Sequence, residues 1–306
     1  MTQGPIVRLT NVTKRIGNRT LIDRVSLDVH AGEVFGFLGP NGSGKTTTIR
    51  MMVGLTRINE GDIQIAGHSI RTEYAKAIVN VGAIVENPEM YKFLTGYQNL
   101  LHFARMNPAV TRKRIDEAIE LVGLQGRIHD KVRKYSLGMR QRLGVAQAIM
   151  HRPKLLILDE PTNGLDPAGI RELRDYLRRL SREEGTAVFV SSHLLSEMEL
   201  MCDRVAILQN GKIIDTRSLR GEEETVRAAD IVQFDVDHPD AALGILEGAG
   251  SARIVDGLLT FEADRGTVAS VNRKLVEAGI NVYAIRVKTK SLEDQFLEMT
   301  GGESVG

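Results

Sequence analysis

A glycine-rich segment at residues 39–46 has the residue types and the spacing to bind phosphate groups. It fits the pattern G-x-x-x-x-G-K-[ST] and reads Gly39, Pro40, Asn41, Gly42, Ser43, Gly44, Lys45, Thr46. Glycines let successive backbone N–H groups turn inward around phosphate oxygens, and a following helix adds the positive end of its dipole. The pattern predicts a polyphosphate cradle in which Lys45 bridges the β- and γ-phosphates, Thr46 binds Mg²⁺ and Thr47 lies near the α-phosphate.

A pair of carboxylates follows an apolar run at residues 155–158. Asp159 and Glu160 come directly after this run, where a parallel strand would end at the ligand-binding edge of its sheet. Phosphoryl transfer to water needs one carboxylate for the metal and a second to orient and deprotonate the water. We expect Asp159 to serve the metal and Glu160 the water. Taken alone, such a pair is more often part of a solvated turn, and the upstream phosphate loop favours the functional interpretation.

Strands and helices must bring these segments together. Residues 6–38 contain β-rich runs that end in a fully apolar one, and the spacing after Lys45 is helical. Residues 154–160 and 186–192 are apolar runs separated by an amphipathic stretch, which is the β-α-β order of a parallel sheet. From about residue 97 to residue 150 the spacing is again helical. The sequence therefore predicts an α/β core with an inserted helical subdomain.

The last third of the chain has a different composition. A hairpin turning at Asn210-Gly211 is predicted first, and the charged stretch 221–230 then predicts a linker. Residues 231–306 have the order β-α-β-β-α-β, which is that of a small ferredoxin-like α+β domain. A closing helix is predicted to begin at Ser291, because an acidic residue lies in its first turn.

Composition limits the classes of partner. The 306 residues suggest about two domains, and 40 basic against 39 acidic residues leave a net charge of +1. No overall field would therefore draw the chain onto nucleic acid or an anionic bilayer. Cys202 stands alone, which excludes an internal disulfide and fits a reducing compartment. No run approaches the roughly 18 apolar residues of a membrane helix, so we expect any membrane role to come through a partner.

The order of these motifs resembles the ATP-binding cassette of ABC transporters, a P-loop NTPase fold, over about residues 5–220. Residues 135–142 (YSLGMRQR) resemble a degenerate form of the family's LSGGQ signature, with Ser136 and Gly138 matching it. A hydroxyl and a glycine at a helix start can bind a γ-phosphate through N–H groups. The resemblance implies that the signature faces the ATP of a second copy of the chain, so that two nucleotides lie at a dimer interface.

Two further segments extend the resemblance. Residues 163–166 (NGLD) follow the acidic pair as the family's dimer-contact loop does. His193, directly after Ser191 and Ser192, is similar to the switch histidine that touches the γ-phosphate and orders the attacking water. The resemblance implies an ATP hydrolase with ATP and Mg²⁺ as cofactors, in which Lys45, Glu160 and His193 are catalytic.

Two positions depart from the family pattern. Ile16 stands where an aromatic residue usually stacks on adenine, so weaker stacking predicts looser base selection and leaves ATP and GTP as alternatives. Glu86 replaces the glutamine that normally faces Mg²⁺ and the membrane partner. Its carboxylate is still an oxygen ligand suited to Mg²⁺.

Other features favour export. Residues 86–88 (ENP), 94–100 (LTGYQNL) and 291–301 (SLEDQFLEMTG) resemble the ATPases of bacitracin- and lantibiotic-type exporters. Four apolar side chains lie where the family's cassette receives its permease, and are either core residues or an interaction surface: Tyr91, Phe93, Leu94 and Tyr97. We expect as partners a second copy and an integral membrane permease, with no nucleic acid. The permease would hold the chain at the cytoplasmic face of the membrane.

Alternatives stay open at this point. An importer ATPase could carry a tail, residues 231–306, that binds a small metabolite and inhibits, although a dimerisation or packing role for the tail is favoured. A non-transport ABC protein acting on ribosomes or DNA belongs to a different class. Such proteins generally carry two cassettes or a long coiled-coil insertion, and neither pattern occurs in this sequence.

Overall fold

The computed structural model describes residues 4–86, 88–219, 230–246 and 252–288. The chain divides into two compact units, Met1–Gly221 and Glu222–Gly306. The predicted linker, apart from Asp230, and the predicted closing helix at Ser291 lie outside the described residues. Each unit is described by itself.

The first unit contains ten strands and seven α-helices among its described residues. The strands are β1 (Val7–Ile16), β2 (Arg19–Val29), β3 (Val34–Leu38), β4 (Glu60–Ile65), β5 (His68–Ser69), β6 (Val81–Ile84), β7 (Leu155–Asp159), β8 (Ala187–Ser192), β9 (Arg204–Gln209) and β10 (Lys212–Ser218). The helices are α1 (Lys45–Met52), α2 (Tyr74–Ile78), α3 (Gly96–Ala104), α4 (Arg112–Leu121), α5 (Leu137–Ile149), α6 (Pro167–Glu184) and α7 (Leu195–Met201).

The main sheet has the strand order β10-β9-β3-β8-β7-β6. The neighbouring strands β9, β3, β8, β7 and β6 pair in parallel, and β10 pairs with β9 antiparallel. Every residue of β3, β7 and β8 is buried, which explains why their sequences are continuous apolar runs. Because parallel strands end at one edge, β3, β7 and β8 deliver the phosphate loop, the acidic pair and His193 to the same side of the sheet.

A second, antiparallel sheet of order β2-β1-β4-β5 packs with the first around a shared core. Phe189 stacks on Phe35 in this core, with 5.8 Å between ring centroids, and the ring of Phe37 is tilted against it at 5.3 Å. Helix α1 adds Ile49 and Met52, both fully buried. The helix that begins at the phosphate loop is thus anchored in the shared core.

The predicted hairpin between β9 and β10 is confirmed, with Asn210 and Gly211 both in the left-handed region (φ 49° and 76°). The turn also reaches two other segments through its backbone. Gly211 N–H donates to the carbonyl of Ser43 at 3.1 Å, and Asp23 N–H donates to the carbonyl of Gly211 at 2.8 Å. A Cβ on Gly211 would lie 2.2 Å from the carbonyl oxygen of Leu21.

The predicted helical subdomain corresponds to α3, α4 and α5. Thr95 begins α3 with a capping box to Gln98, and Ser136 begins α5 by accepting the N–H of Met139 at 3.2 Å. Buried Arg114 joins this region to α6, because its guanidinium donates to the carbonyl of Ile149 at 3.1 Å and pairs with Glu184 at 3.0 Å.

The second unit has the predicted order β-α-β-β-α-β. Its elements are β11 (Asp230–Val236), α8 (Pro239–Ile245), β12 (Arg253–Val255), β13 (Leu258–Ala263), α9 (Arg265–Glu277) and β14 (Val282–Lys288). All pairings in its sheet, of order β12-β13-β11-β14, are antiparallel. Stacked Phe234 and Phe261 lie in its own hydrophobic core. The predicted fold class, an α/β cassette followed by a small α+β domain, is confirmed.

We expect Phe189→Ala to lower the free energy of unfolding of the first unit by about 3–5 kcal/mol, because it removes a buried ring and leaves a cavity between the two sheets. Chemical denaturation measures the change. Phe93→Ala is the matched control, since the Phe93 side chain is 68% exposed and its removal should change stability by no more than about 0.5 kcal/mol. Equal losses in the two variants would contradict this description of the core.

Candidate functional site

The phosphate loop has no room for side chains at two of its glycines. A Cβ at Gly39 would lie 2.4 Å from the carbonyl oxygen of Leu208 and 2.7 Å from Ser43 Oγ. Gly44 has φ 112°, and a Cβ there would lie 2.4 Å from Ile22 Cδ1. Packing and backbone conformation therefore require glycine at both ends of the loop.

The remaining loop residues differ in exposure. Asn41 and Gly42 are exposed, whereas Pro40 is half-buried. Ser43 Oγ is buried without a hydrogen-bond partner, although the Ser43 N–H donates to the carbonyl of Pro40 at 3.1 Å. Thr46 and Thr47 are half-buried in the first turn of α1. Ser43 is thus an unsatisfied polar group inside the loop, as expected where a polar ligand binds.

The side chain of Lys45 is only 5% exposed and lies beneath the loop. Its Nζ donates to the carbonyls of Gly39 at 2.7 Å and Pro40 at 3.3 Å. It also pairs with Glu160 Oε1 at 3.2 Å. A buried ammonium needs such partners, because an unpaired charge away from water is strongly unfavourable. The two predicted motifs are therefore in direct contact.

The backbone at the end of β7 fixes the acidic pair. Glu160 has a left-handed conformation, with φ 48°, and its N–H donates to Ser191 Oγ at 2.9 Å. The same hydroxyl donates to Asp159 Oδ1 at 2.6 Å. Ser191 is fully buried. One serine on the neighbouring strand thus holds both the backbone of Glu160 and the side chain of Asp159.

The carboxylate of Glu160 also contacts the residue that follows β8. His193 Nδ1 lies 2.6 Å from Glu160 Oε2, and Asn163 Nδ2 donates to the same oxygen at 3.2 Å. Burial raises the pKa of Glu160, but the hydrogen bond to His193 and the positive charge of Lys45 lower it by more, so the pKa lies below the ordinary 4.5. The group is therefore ionised at neutral pH, as a general base must be.

The signature-like segment packs on the loop that follows the acidic pair. A Cβ at Gly138 would lie 3.5 Å from Leu165 Cδ2, and one at Gly164 would lie 2.7 Å from Leu137 Cδ2. Ser136 caps α5 with its side chain. Neither Ser136 nor Gly138 takes part in the hydrogen-bond network around Glu160.

Two more predicted residues lie on the surface. Ile16, at the end of β1, is 61% exposed. Glu86 has a left-handed backbone (φ 70°), and its exposed carboxylate pairs with Arg50 on α1. Sequence reasoning missed this pairing and the bridging role of Ser191. The signal for Ser191 was available, because a hydroxyl pair at the end of a wholly apolar strand lies beside the acidic pair of the next strand.

Comparisons with known proteins decide the family. The ABC transporter family model matches residues 22–163. The chain is 58% identical over 296 residues to the ABC transporter ATP-binding protein YhcH of Bacillus subtilis (strain 168), across 97% of this chain and 96% of that protein. The chain belongs to the ABC transporter family.

Two further matches extend the comparison. The cassette and its second unit are 38% identical to the bacitracin transport ATP-binding protein BcrA of Bacillus licheniformis, across 98% of this chain and 99% of BcrA. An ATP-binding cassette solved as a dimer in a post-hydrolysis state, bound to ADP and phosphate, has a TM-score of 0.62 at 26% identity, across 70% of this chain and 99% of that one.

The chain is accordingly an ATP-binding, ATP-hydrolysing subunit of an ABC transporter. In the part of the chain that the structure describes, no helix is long and apolar enough to cross a membrane.

We expect Gly39→Ala to reduce ATP affinity at least about tenfold, because the added methyl group would collide with a backbone carbonyl and displace the loop. Equilibrium binding of a fluorescent ATP analogue measures the change. Gly126→Ala is the control, since a Cβ there meets no atom within 4 Å, and it should bind as the wild type does. Unchanged affinity in Gly39→Ala would contradict the assignment of this loop to phosphate binding.

The lowered pKa of Glu160 predicts a pH dependence of stability in the nucleotide-free protein. The folded protein binds the proton of Glu160 less tightly than the unfolded chain does. The ionised carboxylate therefore contributes stability above pH 4.5 that is lost as the pH falls through the lower folded-state pKa. As the pH falls from 6 to 3, the unfolding free energy of the wild type should therefore decrease relative to that of Glu160→Gln. A constant difference across that range would argue against the ionised pairing.

Proposed function

We propose that the chain is the ATP-driven motor of an exporter. Two copies bind two ATP molecules between them, their closure moves a separate integral membrane permease, and hydrolysis reopens the dimer. The observation that carries the hydrolytic part is the carboxylate of Glu160, which contacts Lys45 of the phosphate loop through one oxygen and His193 through the other.

In this proposal Glu160 is the general base. Water attacks the γ-phosphorus, the bond to the ADP oxygen breaks with its electron pair remaining on ADP, and the proton of the water passes to Glu160. His193 and Asn163 both contact Oε2, so they fix the orientation of the carboxylate. Lys45 neutralises phosphate charge from beneath the loop.

Thr46 and Asp159 would hold Mg²⁺, with Glu86 as a third candidate ligand. The donors fit, because all three offer oxygen atoms and Mg²⁺ characteristically takes one or two carboxylates together with phosphate oxygens. Over the described residues no group of three or more His, Cys, Asp or Glu side chains could form an all-protein cage. Glu86 would have to exchange its pairing with Arg50 for the metal. When bound, the metal supplies charge neutralisation for the phosphates.

Dimerisation would complete each site, with Ser136 and Gly138 of one copy facing the ATP of the other. The dimeric state of the ADP-bound relative supports this part of the proposal. Exposed Ile16 would pack against the nucleobase of the nucleotide without aromatic stacking, so we expect weak discrimination between ATP and GTP.

Export is supported by the relative BcrA, a bacitracin transport protein that matches this chain almost end to end. Exposed Tyr91 and Phe93, whose ring centroids lie 5.9 Å apart, form an apolar surface beside Glu86 in sequence. We propose that a permease covers this surface and holds the chain at the cytoplasmic face of the membrane. The cargo would be a peptide antibiotic or another lipophilic compound.

Glu160→Gln tests the mechanism. We expect turnover to fall at least about 100-fold, because the amide cannot accept the proton of the attacking water. ATP should still bind and still drive dimerisation, since the phosphate loop is intact. Phosphate release and light scattering in the presence of ATP and Mg²⁺ measure the two properties.

The control is Glu262→Gln, which changes an exposed carboxylate of the second unit and should leave both properties unchanged. Normal hydrolysis by Glu160→Gln would overturn the assignment of the base. Loss of ATP binding in the same variant would instead show that Glu160 acts in binding.

A further inference from the structure

A carboxylate outside the phosphate site joins the two loops that flank it. Glu197, in the first turn of α7, accepts two hydroxyl hydrogen bonds on one oxygen, Oε2. The donors are Thr162 Oγ1 at 2.6 Å and Ser192 Oγ at 3.0 Å. Thr162 is 4% exposed and Ser192 is 1% exposed, and Glu197 is the side-chain acceptor to which both hydroxyls donate.

Each hydroxyl lies next to a residue that takes part in the contacts around Glu160, Thr162 in the loop after β7 and Ser192 at the last position of β8. Thr162 lies two residues after Glu160 and directly before Asn163, whose amide contacts Glu160 Oε2 at 3.2 Å. Ser192 directly precedes His193. Through these two bonds Glu197 connects the loop on one side of the contact to the loop on the other.

The arrangement has little freedom on either side. Ser192 Oγ also accepts the N–H of Leu194 at 3.0 Å, which shapes the turn that presents His193. On the other side Glu160 has a left-handed backbone, which is unfavourable for a residue with a side chain and persists only where neighbours hold it. An acidic residue in a first helical turn is also favoured by the helix dipole. Stabilisation by the helix dipole alone would not require the carboxylate to accept hydrogen bonds from two buried hydroxyls.

We propose that Glu197 is a positioning residue for ATP hydrolysis, which holds the carboxylate of Glu160 at hydrogen-bond distance from His193. This inference rests on the proposed role of Glu160 as the base. Glu197 does not contact Lys45 or the phosphate loop in the hydrogen-bond network, so it affects the hydrolytic step and leaves nucleotide binding unaffected.

The first test compares Glu197→Ala with Glu197→Gln in the full chain, with ATP and Mg²⁺. Glu197→Ala should lower kcat about 10- to 100-fold, as expected when a catalytic group loses its supporting contacts, with KM for ATP changed less than about twofold. Glu197→Gln keeps an oxygen that can accept both hydroxyls and should recover most of kcat. A general loss of structure would instead change KM and kcat together.

The second test asks whether Glu197 acts through Glu160. When Glu160→Gln has already removed the base, adding Glu197→Ala should lower the residual rate less than about twofold, because the two substitutions affect the same step. A further 10-fold loss in the double variant would overturn the proposal.

Glu183→Gln on α6 is the matched control, since Glu183 is exposed, and its kcat should equal that of the wild type. If Glu160→Gln abolishes turnover while Glu197→Ala leaves kcat unchanged, the positioning role is wrong and the proposed function stands. If Glu160→Gln itself hydrolyses ATP normally, the proposed base is wrong, and the positioning role is overturned with it.

Discussion

The structure of the site depends on one ion pair, between buried Lys45 at the start of α1 and partly buried Glu160, directly after β7. The pair joins two strands that are not neighbours, because β8 lies between β3 and β7 in the sheet. Parallel register brings the three strand ends level, with Leu38 opposite Ser192 and Asp159 opposite Ser191. Separating a buried ammonium from its partly buried carboxylate would be unfavourable, so the pair constrains both the phosphate loop and the loop after β7.

The electrostatics of Glu160 follow from these neighbours. Burial raises the pKa of the Glu160 carboxyl and so disfavours its ionised form. His193 and Lys45 reverse this preference and keep the carboxylate ionised. The same contacts hold its two oxygens in different directions, one toward the phosphate loop and one toward β8. Ionisation and orientation therefore have a common cause, and a change in either neighbour alters both.

Much of this organisation could be predicted from the sequence. The phosphate loop, the acidic pair after a buried strand and the β-α-β-β-α-β order of the second unit all depend on local patterns. The hydroxyl pair at the end of β8 indicates that Ser191 lies near the acidic pair, but the hydrogen-bond partners of Ser191 and the contacts of Glu197 and Arg50 could not be predicted in the same way. They depend on register between strands and on loop paths that join residues about 30 or more positions apart in the chain. Nothing in the sequence near Glu86, for example, identifies Arg50 as its partner.

The turn at Asn210-Gly211 has a consequence for labelling and protein engineering. A tight hairpin turn that joins an edge strand normally tolerates an inserted tag, fluorophore loop or new chain terminus. Here the same turn is bonded to Ser43 of the phosphate loop and to Asp23 of the neighbouring sheet, and a side chain on Gly211 would collide with a backbone carbonyl. An insertion at this position would reach the phosphate loop through the hydrogen bond between Gly211 and Ser43. Reporters for this protein are better placed elsewhere on its surface.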